Sequence, residues 1–134
     1  MPFVRIDLRA GKPASHLRAI GTAVQQAMVE CFDVPARDQF QVIAEHDADH
    51  LVYNPEYLDI QRTDDIVLIQ ITLSAGRSTA QKQAFYARLA ALLRENPGLR
   101  PEDLAVSLVE NTREDWSFGN GEASYVVLPR EQWR

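Results

Sequence analysis

Residues 2–8, PFVRIDL, place Val4, Ile6 and Leu8 on one phase and Phe3, Arg5 and Asp7 on the other. That period of two predicts a β-strand. After a Gly11 turn the period changes. Leu17, Ile20, Val24, Met28 and Cys31 recur at helical spacing, with Pro13 at the opening, where a helix tolerates its missing N–H. Pro35 ends that segment, and QFQVIAEH (39–46) predicts a second strand. The sequence then starts again. DIVLIQITLSA (65–75) is a strongly apolar strand, and Ser78 with Gln81 has the spacing of a capping box. Phe85, Leu89, Leu92 and Leu93 form the next helical face, Asn96-Pro97-Gly98 stops it, and LAVSLVEN (104–111) is a fourth strand. Residues 47–64 are polar and predict a loop or short extra helix. Gly119-Asn120-Gly121, set between short apolar runs, signals a C-terminal hairpin. The tail LPREQWR reads as peripheral, with Trp133 available to pack.

The two halves correspond at a constant offset of 65 residues: Leu8-Arg9-Ala10-Gly11-Lys12 falls on Leu73-Ser74-Ala75-Gly76-Arg77, Asp38 on Asp103 and Glu45 on Glu110. This predicts two β-α-β pseudo-repeats, about 2–46 and 67–111, each a right-handed crossover between parallel strands. The expected architecture is an α/β (α+β) fold, a four-stranded sheet with two helices on one face. Residues 1–134 are expected to form a single domain. The other sheet face then has nothing in this chain to cover it, so self-association is expected.

Composition narrows the function classes. The chain has 134 residues, 46% of them apolar and 25% charged, and a net charge of −5. An acidic balance argues against a nucleic-acid partner. No apolar run is long enough for a bilayer, and the start lacks the regions of a signal peptide, so a cytoplasmic protein without membrane association is expected. Cys31 is the lone cysteine and lies on a helical apolar stripe, which suits a buried thiol better than a nucleophile.

Several residues invite a chemical reading beside a structural one. Pro2 follows Met1 directly. It either stiffens the terminus or, once Met1 is removed, offers a free secondary amine. Arg77 lies between the Gly76 turn and the Ser78 cap, at a helix start that favours anions, with a fork that matches a carboxylate; an ordinary loop arginine is the alternative. Lys12 holds the equivalent place in the first repeat but precedes a proline. Asp38 is either a turn aspartate or a carboxylate held beside a pocket, and its repeat-mate Asp103 suggests the structural version. His46-Asp47-Ala48-Asp49-His50 has two histidines at metal-sharing spacing, but it begins at a strand end, so a solvated loop is expected and no metal site. Trp116 and Phe118 are either core or the walls of a small dry pocket.

Pro2, the paired β-α-β units, AMVECFDVPARDQFQ (27–41), GRSTAQKQAFY (76–86) and LVENTREDWSFGNG (108–121) together resemble the tautomerase superfamily, and within it the malonate semialdehyde decarboxylases. The resemblance implies a homotrimer or hexamer joined through its sheets and a small oxo-acid substrate. It implies no cofactor. It makes Pro2 similar to the catalytic N-terminal proline and Asp38 similar to the aspartate that assists it. Arg77 is similar to one of two arginines that hold the substrate carboxylate. Trp116, Phe118 and Tyr125 fall on pocket aromatics. Ala75 stands where the second arginine is expected, and Phe40 where tyrosine is frequent. An α-amine titrates near 8 in model compounds. A facing carboxylate keeps it cationic, the form suited to decarboxylation or hydration of a 3-oxo acid. Apolar surroundings and arginines neutralise it, the form suited to keto–enol tautomerisation of a 2-oxo acid such as phenylpyruvate. With Ala75 uncharged, the decarboxylase or hydratase route is expected. A catalytically silent oligomeric homologue that only binds carboxylates is the remaining alternative.

Overall fold

The computed structural model describes residues 2–133. The main elements are β1 (Pro2–Arg9), α1 (Ala14–Phe32), β2 (Gln41–His46), β3 (Val67–Ser74), α2 (Thr79–Glu95), β4 (Leu104–Asn111) and a short α3 (Ser124–Val127). The sheet order is β2-β1-β3-β4. Each repeat contributes a parallel pair, and the repeats meet through antiparallel β1 and β3, with Pro2 opposite Leu73 and Leu8 opposite Val67. Adding 65 to the bounds of β1 gives those of β3, and adding 65 to the start of α1 gives that of α2. The repeat seen in the sequence is thus a repeat of structure.

The alternation in the central strands sorts their side chains as its period requires. Val4, Ile6, Leu8, Ile69, Ile71 and Leu73 are buried beneath the helices. Against them α1 sets Ile20, Val24 and Met28, and α2 sets Phe85, Leu89 and Leu93. Each such side chain, when fully buried, contributes roughly 1.5–3 kcal/mol. Phe32 at the end of α1 stacks on Phe85 with ring centroids 4.6 Å apart, tying the two repeats together. Gly21 allows α1 to approach β2 closely. A Cβ there would lie 2.5 Å from Gln41 Oε1, and the Gln41 amide donates to the Gly21 carbonyl at 2.9 Å. The Ser78–Gln81 capping box forms as predicted. Pro13 sits one residue earlier than expected, at the N-cap of α1.

Two expectations are corrected. No strand follows β4 among the described residues, so there is no C-terminal hairpin. Gly119, Asn120 and Gly121 all take positive φ, which suits the reversal. The returning chain makes one backbone bond, Ser124 N–H to the Trp116 carbonyl, and the Ser124 hydroxyl accepts from the Phe118 N–H. A side chain thus takes the donor a strand partner would need, and Ser124 opens a helical turn instead. Cys31 is half-buried against the core rather than enclosed.

The second sheet face carries Phe3, Val42 and Val109 largely exposed, at 43%, 41% and 40%. Residues 47–64 contain only two short 3₁₀ turns. His46 ends β2 with Nε2 2.6 Å from Asp7 Oδ1, and His50 is exposed. Among the described residues no three His, Cys, Asp or Glu side chains gather to hold a metal, and no helix is long and apolar enough to cross a membrane.

Candidate active site

The antiparallel centre gives the sheet a pseudo-twofold relation. The start of β1, the start of β2 and the end of β3 therefore converge at one end. Pro2, Asp38 and Arg77 occupy those three places. Their repeat-mates Val67, Asp103 and Lys12 occupy the opposite end.

The two ends differ in how their polar groups are used. Asp103 is fully buried and accepts from the Thr63 N–H at 2.6 Å and the Thr63 hydroxyl at 2.7 Å. Lys12 Nζ pairs with Asp65 at 2.6 Å. That end is tied off. Asp38 is 7% exposed and lines two adjoining cavities. Its main chain is anchored by an N–H bond to the Pro35 carbonyl and by Gln25 Nε2 donating to the Asp38 carbonyl at 3.1 Å. Burial pushes the pKa of its carboxyl above the usual 3.8, against the downward pull of the chain's amino-terminal charge and of Arg77. Desolvation of a carboxylate outweighs both cations here.

Arg77 is half-buried. It donates from Nη1 to the Ser74 carbonyl at 2.8 Å and from Nη2 to the Phe32 carbonyl at 3.2 Å, with its guanidinium 5.6 Å over the Phe32 ring. Two of the five guanidinium N–H donors are so engaged, which leaves three for an anion. Burial lowers its pKa, opposed by the negative charges of Glu110, Asp33 and Asp38 among others.

The larger cavity, about 460 Å³, brings Asp38, Arg77 and Tyr125 together. Burial, and Asp38 after it, push the Tyr125 phenol up, so it remains a donor at neutral pH. The adjoining cavity, about 270 Å³, is walled by Phe40, Phe118, Tyr125 and Leu128. Phe118 is packed edge-on to Tyr125 at 5.5 Å and tilted against Phe40 at 5.5 Å. Trp116 lines neither space. It stacks behind Phe118 at 5.3 Å and donates its indole N–H to Ser74 Oγ, so it supports the wall. Pro2 is fully buried at the start of β1 and lines neither cavity.

Sequence reading missed Arg113, Arg130 and Trp133, all of which line the larger cavity. The tail is therefore not peripheral. Trp133 packs edge-on to Tyr125 at 4.8 Å, donates its indole N–H to the Leu128 carbonyl, and lies under the guanidiniums of Arg113 at 4.8 Å and Arg130 at 5.7 Å. One signal for Arg113 was available: Thr112 and Asp115 form a capping box that fixes the turn carrying it.

Two β-α-β units joined antiparallel, with a proline at the first strand's start and a carboxylate and arginine gathered at that end, match a known class. The family described as "tautomerase enzyme" matches residues 38–119, and a second family of the same description matches residues 2–60. The chain belongs to the tautomerase superfamily. It is similar to the probable tautomerase YusQ of Bacillus subtilis (strain 168), 40% identical over 94% of this chain and 99% of that one. It is also similar to the probable tautomerase YrdN of the same organism, 39% identical over 95% and 98%. Among solved structures, malonate semialdehyde decarboxylase is 35% identical with a TM-score of 0.86, covering 92% of this chain and 95% of that one. A fused 4-OT trimer shares the fold at 20% identity and a TM-score of 0.73, covering 90% and 94%.

Proposed function

We propose that the chain, once Met1 is removed, uses the secondary amine of Pro2 to decarboxylate or hydrate a small 3-oxo acid. The observation that carries this is the gathering of Pro2, Asp38 and Arg77 at one end of the sheet, Pro2 opening β1 there and Asp38 and Arg77 lining one cavity. A carboxylate near an amine favours the ammonium form. In the proposed reaction Arg77 holds the substrate carboxylate, and the Pro2 ammonium hydrogen-bonds to the 3-oxo oxygen. The C–C bond to the carboxylate breaks, CO₂ leaves, and the electron pair moves into the carbonyl. Pro2 gives its proton to the resulting enolate, and the enol then ketonises. Phe40, Phe118 and Leu128 give the adjoining cavity an apolar wall. The similarity to malonate semialdehyde decarboxylase supports this chemistry.

A second reading has its own observation. Arg113 and Arg130 return to the cavity the positive charge that Ala75 lacks. Cations near Pro2 favour the neutral amine, a base able to move a proton between the keto and enol forms of a 2-oxo acid. The curated relatives are described as probable tautomerases. The exposed face of the sheet supports assembly as a homotrimer, as in the relatives whose structures are described as trimers.

The experiment joins intact-mass measurement to a panel of 3-oxo and 2-oxo acids, followed by proton NMR for both CO₂ loss and enol exchange. The expected result is a mature chain beginning at Pro2 that decarboxylates a 3-oxo acid and is silenced in Pro2→Ala. Enol exchange without decarboxylation selects the tautomerase. Retained Met1, or turnover that survives Pro2→Ala, overturns both.

A further inference from the structure

Ala75 is exposed and uncharged, between Ser74 and the Gly76 turn. It lines a third cavity of about 540 Å³ with Ser74, Asn111, Arg113 and Glu114, among others. Ser74, Ala75 and Arg113 also line the main chamber, so the two cavities are neighbours that share Arg113. Among the described residues Arg113 forms no ion pair and donates no side-chain hydrogen bond. Its guanidinium is not loose, however. It lies 4.8 Å over the Trp133 ring, and that ring is held by its indole N–H on the Leu128 carbonyl and by its edge contact with Tyr125. Stacking occupies the face of a guanidinium and leaves its in-plane N–H fork for an anion. The backbone beneath is fixed by Thr112 and Asp115, which bond at 2.8 and 2.9 Å. Arg77, Arg113 and Tyr125 all line the main chamber.

We propose that Arg113 is a second carboxylate-holding residue of this site, positioned by Trp133, and that the natural substrate is an oxo acid with two carboxylates, one on Arg77 and one on Arg113. This rests on reading the chamber as the substrate site. Arg77 comes from the β3–α2 turn and Arg113 from the turn after β4, so the two forks approach the chamber from different elements. The chamber, about 460 Å³, has room beyond that required by a three-carbon acid. A longer diacid would use it.

Isothermal titration of the purified mature protein with succinate and glutarate, against butyrate and pentanoate, tests the proposal. None of these acids carries an oxo group, so the result does not depend on the chemistry of Pro2. A diacid should bind roughly tenfold or more tightly than the monoacid of equal length, the effect of one charge-assisted hydrogen-bonded contact. Arg113→Gln should erase that preference by weakening the diacid far more than the monoacid, and Arg77→Gln should weaken both classes. Trp133→Ala should lose the preference, and Trp133→Phe, which keeps a ring under the guanidinium, should retain most of it. Arg113 is exposed, so its replacement leaves the fold intact; thermal melting checks this. Equal affinity for diacid and monoacid, a preference that survives Arg113→Gln, or no binding of either class overturns the proposal. A protein that prefers diacids yet turns over no oxo acid would keep this assignment and remove the catalytic one.

Discussion

Arg77 bridges two carbonyls and, on the proposed function, also holds the substrate, and one substitution can separate the two roles. Its guanidinium bridges the Ser74 carbonyl at 2.8 Å and the Phe32 carbonyl at 3.2 Å, which joins the end of β3 to the end of α1. Its remaining donors face the chamber that Asp38 and Tyr125 share. Arg77→Ala removes two charge-assisted bonds. Each is worth about 1.5–3 kcal/mol in a dry setting, and partial solvation of a half-buried group cuts that, so about 1–2 kcal/mol of stability in total is expected to be lost. That is a melting temperature lower by roughly 3–10 °C. The catalytic loss is separate. One hydrogen-bonded carboxylate is worth about 1.5–3 kcal/mol, or roughly a ten- to hundredfold-plus fall in kcat/KM on an acid substrate. Arg77→Lys keeps the charge but cannot bridge both carbonyls or present a fork, so it should recover part of the catalytic loss and little of the thermal one. Steady-state kinetics beside thermal melts at one pH give both numbers. A lowered melting temperature with unchanged kcat/KM in Arg77→Ala would refute the substrate role and leave Arg77 a clamp between the repeats.

Asp38→Asn should melt higher than the unaltered protein at neutral pH while losing most turnover. The folded carboxyl titrates above its unfolded value near 3.8, so ionising it costs stability as pH rises through that window, and the two proteins should melt alike well below it; a lower melting temperature for Asp38→Asn at pH 7 would contradict this. Light scattering should give three times the 15.1 kDa chain mass, and Phe3→Glu on the exposed sheet face should reduce it to the monomer. A stable monomer at micromolar concentration before substitution would remove the trimer.

The scaffold was legible because it is periodic. The alternation of β1 and β3, the stripes of α1 and α2 and the offset of 65 residues are each set by burial on one face, and burial repeats along the chain. Arg77 was legible because a local rule, a basic residue between a glycine turn and a helix cap, placed it. Arg113, Arg130 and Trp133 obey no period. They meet because the chain reverses at Gly119–Gly121 and the tail returns along the site, and stacking of guanidinium on indole leaves no spacing to read. The same return makes the two ends of a doubled scaffold differ. Duplication places a carboxylate and a cation at both ends of the sheet, Asp38 with Arg77 and Asp103 with Lys12. At the second end, the connection between the repeats supplies Thr63 to Asp103 and Asp65 to Lys12, and the polar groups satisfy one another. At the first end the turn after β4 brings Arg113 and the tail brings Arg130 and Trp133 to the chamber that Asp38 lines. The asymmetry between the two ends of the sheet therefore resides in the non-repeated segments, the connection between the repeats and the chain after β4, rather than in the repeats themselves.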